Sequence, residues 1–223
     1  MRTIGVLGGI TWHSAAEYYR LLNTLTAERT GGEHAARCVL FSVDIGEVDP
    51  LMHAGRWDEA ATVVAPHARA VEAAGADVFV LACNSLHHVW DAIVDGLTIP
   101  TIHIADAAAL ELEGHERIAL LGTPWTMELP FFRERLGWRG FDVAVPDDAD
   151  RARLGQTVFD ELSHGIVRDE TRAYYVDLIE RLGADAVVLA CTEMTLLRLE
   201  DDVDVPLVDT ARAHARAAVD YAL

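Results

Sequence analysis

The chain has 223 residues, 51% of them apolar, which is enough for one large domain or for two small lobes. Its 36 acidic residues face 18 basic ones, all arginine, for a net charge of −18, and a surface of that sign repels nucleic acid and anionic membranes, so neither is expected as a partner. With no lysine in the chain, the Schiff-base route of pyridoxal phosphate is closed, so any chemistry at an α-carbon must use the protein's own side chains, and no cofactor is expected.

Thr3 to Leu7 reads as a strand and Gly8-Gly9 as a tight turn. Ser14 and Glu17 read as a capping box for a helix running to about Arg29, which Gly31-Gly32 ends. The glycine spacing here is not the G-x-G-x-x-G of dinucleotide sites. Gly9 is therefore either a point where backbone closely approaches a small ligand or a position of ordinary strand-to-helix packing. Cys38 to Val43 reads as a second strand, with Cys38 as a buried core thiol at its start. Ile45 to Trp57, containing Pro50, Met52 and Arg56, reads as an irregular segment of the length often used for a lid, and Asp58 to Ala74 as an amphipathic helix.

The next stretch, residues 75 to 83, reads G-A-D-V-F-V-L-A-C, and it recurs at residues 183 to 191 as G-A-D-A-V-V-L-A-C. Each copy is a Gly-Ala-Asp turn, a short apolar run with the character of a buried parallel strand, and a cysteine where the run ends. In open α/β sheets ligands bind at that carboxyl end. The residues that follow, Asn84-Ser85 and Thr192-Glu193, suit a turn into a helix whose free N–H groups could hold a carboxylate.

Between the copies, residues 99 to 104 read as a short strand, matched later by residues 205 to 210. Ile118 to Thr123, I-A-L-L-G-T, echoes the opening I-G-V-L-G-G and starts a second lobe. A helix is expected from about Thr126 to Leu136 and a helical region from Asp150 to Leu182 broken near His164-Gly165. The closing helix, Ala211 to Leu223, is expected to pack on the first lobe. The expected fold is α/β, with two similar lobes on parallel-sheet cores, related by a pseudo-twofold axis, and a site in the crevice between them. The first lobe would comprise residues 1–98 and 208–223, and the second residues 99–207.

Three cysteines with no framework spacing exclude a disulfide scaffold. The amino terminus enters a strand at once, and no apolar run reaches the roughly 18 residues of a membrane span, so a soluble, cytoplasmic protein is expected. Two opposed thiols, Cys83 and Cys191, are what inversion at a carbon requires: one thiolate removes a proton and the other thiol returns one to the opposite face. A redox pair, apolar filler, and zinc held by Cys83 and Cys191 with His87 or His88 are the competing readings. No C-x-x-C or H-x-x-x-H spacing supports the metal, so none is expected.

These segments, I-G-V-L-G-G-I-T-W, S-V-D at 42 to 44, L-A-C-N-S, L-L-G-T-P-W-T-M and L-A-C-T-E, resemble the cofactor-independent aspartate/glutamate racemase family over essentially the whole length. The resemblance implies a two-lobed α/β fold, amino-acid racemisation without pyridoxal phosphate, and a homodimer. It implies Cys83 and Cys191 as the acid/base thiols, Asn84, Ser85 and Thr192 as holders of the α-carboxylate, and Thr123 and Thr126 as lining of the second-lobe turn. Glu193 after Cys191-Thr192, and Gly8-Gly9-Ile10-Thr11 in the first turn, depart from the glutamate racemase pattern. Arg56 or Arg168 could grip a distal carboxylate, and Met52 leaves room for a neutral side chain. Aspartate or glutamate are the leading substrates; hydantoin racemisation, maleate isomerisation and non-catalytic carboxylate binding are the alternatives.

Overall fold

The apolar runs fold into seven strands in two all-parallel sheets, and the computed structural model describes every residue from Met1 to Leu223. The chain divides into two compact units, Met1–Ile104 with Arg212–Leu223, and Ala105–Ala211.

In the first unit the chain runs β1 (Ile4–Gly8), α1 (Trp12–Thr30), β2 (Cys38–Ser42), α2 (Ile45–His53), α3 (Trp57–Ala73), β3 (Val78–Leu81) and α4 (Trp90–Val94). The sheet order is β2-β1-β3, with Ile4 opposite both Cys38 and Val78. β1 and β3 are buried along their whole length, which is why they read as unbroken apolar runs, whereas β2 lies at the edge and is only partly covered. That edge position leaves Cys38 half-buried where full burial was expected.

The second unit runs from α5 (Ile104–Leu110) through β4 (Arg117–Gly122), α6 (Pro124–Glu128), α7 (Pro130–Gly137), β5 (Asp142–Ala144), α8 (Asp148–Asp160), α9 (Asp169–Leu182), β6 (Ala186–Ala190) and β7 (Leu207–Asp209), and α10 (Thr210–Ala222) follows. Its sheet order is β5-β4-β6-β7. In each sheet the first strand of the unit lies between the second and the third, so the connection pattern is duplicated as well as the sequence. Leu121, Val187, Leu189, Tyr175, Leu178 and Met194 are among the side chains that form its core.

The repeated Gly-Ala-Asp has a structural task in both copies. The Asp77 carboxylate accepts the Thr3 amide at 2.6 Å, just before β1, and Asp185 accepts the amides of Glu116 and Arg117 at 3.0 and 3.1 Å, at the start of β4. Each aspartate thus ties the start of one strand to the start of its neighbour and satisfies donors the ladder leaves over.

Several expected elements change. Residues 45 to 53 are helical, because the Asp44 side chain caps Gly46, with Pro50 inside the helix, so the lid-like segment is largely α2. Thr11, not Ser14, caps α1. Residues 99 to 104 make one isolated bridge, Thr101 to Phe79, and Ile104 already starts α5. The bonds from Phe79 to Pro100 and Ile102 hold this segment in the first unit, while β7 pairs with β6 and stays in the second. The switch points therefore fall after Ile104 and after Ala211 rather than after residues 98 and 207. The helix expected from Thr126 is split by Pro130, and the helical region from Asp150 breaks at Gly165, which is left-handed at φ 71°. The amide of Arg2 donates to Ala222, which joins α10 to the first unit. No helix is long and apolar enough to cross a membrane.

Candidate functional site

In both units the residues singled out from the sequence lie where parallel strands end, apart from Met52 in α2, Arg56 before α3 and Arg168 before α9. In the first unit Leu7 is opposite Leu81, and the Ala82 amide donates to the Leu7 carbonyl at 2.8 Å. Gly9 and Cys83 are thus the next residues off two adjacent strand ends. Gly9 has φ 100°, and a Cβ there would stand 2.3 Å from the Val43 carbonyl oxygen. Packing against Val43 by itself requires a glycine at this position.

Cys83 is half-buried, Ser85 is buried, and Asn84 leads into a 3₁₀ turn, Ser85–Val89. The Cys83 carbonyl accepts from Nδ1 of His87 at 2.8 Å. The turn after Cys191, Thr192–Leu197, is also 3₁₀. Short 3₁₀ turns, rather than the α-helices expected after each cysteine, carry little aligned dipole, so an anion here would meet individual N–H groups.

In the second unit Gly122 is opposite Ala190, so Thr123 and Cys191 leave adjacent strand ends. Thr123 caps α6, and its hydroxyl lies 3.2 Å from that of the buried Thr126. The first unit holds a matching pair, Thr11 and Ser14, with hydroxyls 2.6 Å apart. The signal for this second pair, a threonine and a hydroxyl three residues on after the first strand's glycines, was present in the sequence but Thr11 was not singled out.

Cys191 is 6% exposed, and its Sγ–H donates to Oε2 of Glu193 at 3.1 Å. Glu193 is therefore a functional candidate that sequence reasoning used only as a departure from a pattern. The side chain two residues on from a strand-end cysteine can turn back onto the thiol, because Thr192 and Glu193 open the 3₁₀ turn. Thr192 itself is partly exposed, and its carbonyl accepts the Thr195 hydroxyl at 2.7 Å.

Arg56 stands before α3, exposed, with its guanidinium on Glu59 in a two-pronged contact that holds the arginine charged and the carboxyl low. Arg168 is exposed and 3.6 Å from Glu161. His88 packs edge-on against Trp57 and is lowered by burial. No trio of histidine, cysteine, aspartate or glutamate side chains is arranged to hold a metal ion, and all three cysteines are free thiols.

What the arrangement offers in each unit is a thiol beyond the end of a buried strand, backbone donors beyond it, and hydroxyls off the neighbouring strand. The pattern shared by Asp/Glu/hydantoin racemases matches residues 7–218. A broad-specificity amino-acid racemase of Bacillus subtilis (strain 168) is 24% identical over 167 residues, 73% of this chain and 72% of that protein. The crystal structure of a Yersinia pestis protein classed as a candidate Asp/Glu racemase superposes with a TM-score of 0.93 at 39% identity, covering 100% of this chain and 99% of that one. An aspartate racemase homologue from Pyrococcus horikoshii OT3 gives 0.88 at 30% identity, with 100% and 99% covered. A match spanning nearly every residue, including both strand-end cysteines, leaves one conclusion: this chain belongs to the Asp/Glu/hydantoin racemase family and is an isomerase.

Proposed function

We propose that the protein racemises an amino acid, with aspartate or glutamate the leading substrates, by a two-base mechanism that uses Cys83 and Cys191. The observation that carries this reading is the equivalent placement of the two thiols, each within two residues of the end of a buried strand that adjoins the first strand of its unit. One cysteine, as thiolate, takes the α-proton; the carbon flattens as its electron pair spreads into the carboxylate; the other cysteine, as thiol, returns a proton to the opposite face. Proton and charge balance over one turnover, and the two thiols exchange roles for the reverse direction.

Glu193 supports this division of labour. The hydrogen bond from Cys191 to its carboxylate favours the protonated thiol, since a thiolate there would face a like charge. Cys191 is thereby poised as donor while the Glu193 carboxylate faces it. Asn84, Ser85 and Thr192 are suited to hold the α-carboxylate with the N–H and hydroxyl groups at the strand ends, and Thr123 and Thr126 to line the turn beside Cys191. Arg56 can meet a distal carboxylate only by giving up Glu59. A reducing cytoplasm suits three free thiols.

The test is solvent exchange. In deuterated water the protein should place deuterium at the α-carbon of L- and D-aspartate or glutamate while interconverting the enantiomers, and Cys83→Ser and Cys191→Ser should each abolish the interconversion. Full activity in either variant would refute the two-base scheme. Activity confined to hydantoins or maleate in a substrate panel would replace the amino-acid assignment.

A further inference from the structure

The chemistry above leaves a cluster of buried histidines in the first unit without a role. His87, His103 and His214 are 2%, 5% and 0% exposed. The His87 ring stacks on Trp90 and lies 4.5 Å from His103 and 5.8 Å from His214, centroid to centroid. Backbone partners fix the tautomer of His87. Its Nε2 receives the Ile104 amide at 3.3 Å and so carries the lone pair; its Nδ1 carries the hydrogen and donates to the Cys83 carbonyl at 2.8 Å. Burial, with His103 and His214 adding to it, holds the ring's pKa well below the ordinary histidine value, so neutrality is its resting state.

We infer that His87 is a positioning residue for Cys83: through its two ring nitrogens it locks the Cys83–Asn84 peptide, from which the thiol departs, onto the Ile104 amide where the chain leaves the first unit.

A trans peptide is planar, with its C=O and N–H pointing in opposite directions. Holding the Cys83 oxygen on the buried side therefore holds the Asn84 N–H on the other side and fixes ψ of Cys83, the angle that sets the peptide plane relative to the Cα–Cβ bond. Without the Nδ1–H donor, that plane can turn by a paired change in ψ of Cys83 and φ of Asn84. The carbonyl oxygen, the negative end of the peptide dipole, then becomes free to approach the sulfur, which disfavours the thiolate and moves it off its line to the substrate carbon.

Two variants separate positioning from mere packing. In His87→Asn the amide nitrogen occupies the place of Nδ1 and keeps the bond to Cys83; in His87→Gln the side chain reaches the place of Nε2 and keeps only Ile104. His87→Gln should lower kcat about tenfold or more at little change in KM, while His87→Asn stays within about threefold of the parent. This kinetic arm rests on the racemase reading; the second arm does not. Alkylation by iodoacetamide, followed separately for each cysteine by peptide mass spectrometry, should slow about threefold or more at Cys83 in His87→Gln alone, with Cys191 in the same molecules unchanged. Equal behaviour of the two variants at Cys83, or a loss shared by both thiols, would overturn the inference. So would nitrogen-15 shifts of the unmutated protein that place the His87 hydrogen on Nε2. Should the parent racemise nothing, the functional reading falls while the alkylation and tautomer results still decide the role of His87.

Discussion

Acid should loosen the first unit through His214, and the size of the effect follows from the burial of that ring. Its Nε2 donates to the Ile102 carbonyl at 2.8 Å, so its Nδ1 accepts the Tyr18 hydroxyl, also at 2.8 Å, and the neutral ring is fully satisfied. Burial lowers its pKa to about 4, against the ordinary 6.5. Above the ordinary value neither the folded nor the unfolded chain binds a proton there, and the group has no effect on the pH slope. Below it the unfolded chain takes up a proton that the folded chain refuses, so stability is lost as pH falls toward the folded value. Between about pH 7.5 and about pH 5.5 the loss from this one ring is about 1.4 kcal/mol. That figure depends almost wholly on the unfolded chain, because at about pH 5.5 the folded ring is still neutral. The assay is urea unfolding of the parent and of His214→Gln across that range, which keeps clear of the isoelectric point near 4.8. Gln keeps the donor to Ile102 and cannot titrate, so the variant is weaker throughout but should lose about 1.4 kcal/mol less on acidification. Parallel curves for the two proteins would refute the reasoning.

Glu193→Gln removes a carboxylate charge, shared over two oxygens, whose nearer oxygen stands 3.1 Å from the Cys191 sulfur; the repulsion with a thiolate is about 4 kcal/mol at an effective dielectric of 20. Discounting that by half for the partly exposed carboxylate leaves about 2 kcal/mol, or roughly thirtyfold faster alkylation of Cys191 at neutral pH, and an unchanged or slower rate would refute the role given to Glu193. Gly9→Ala should cost about 3 kcal/mol or more, since its Cβ collides with the Val43 backbone, whereas Gly31→Ala, also left-handed but in open space, should cost only about 1 kcal/mol; urea midpoints compare the two. The amides of Glu116 and then Arg117 hold the Asp185 carboxyl below the usual carboxylate range, so it adds stability above that range which fades as pH falls. The difference in thermal midpoint between the parent and Asp185→Asn should therefore shrink as pH falls from about 5 toward about 3, and a gap independent of pH would contradict the clasp.

The strands that matter most were legible in the amino-acid order because they are buried on both faces. β1, β3, β4 and β6 have no solvent side to break their apolar runs, so each reads as a short continuous stretch ended by glycine or cysteine. The duplication of G-A-D and L-A-C could likewise be read directly, and it fixed which two thiols to consider. Residues 45 to 53 could not be read in that way, since Pro50 and a weak apolar pattern look irregular until the Asp44 cap is seen. Nor could residues 99 to 104, whose bonds to Phe79 depend on a strand some twenty positions earlier. The roles of Asp77 and Asp185 as clasps, the contact of Cys191 with Glu193 and the grip of His87 on Cys83 were all decided by tertiary structure. Burial along a strand leaves its mark on consecutive residues, but a hydrogen bond between a turn and a distant side chain depends on where two separate segments come to rest, and neither segment records the other.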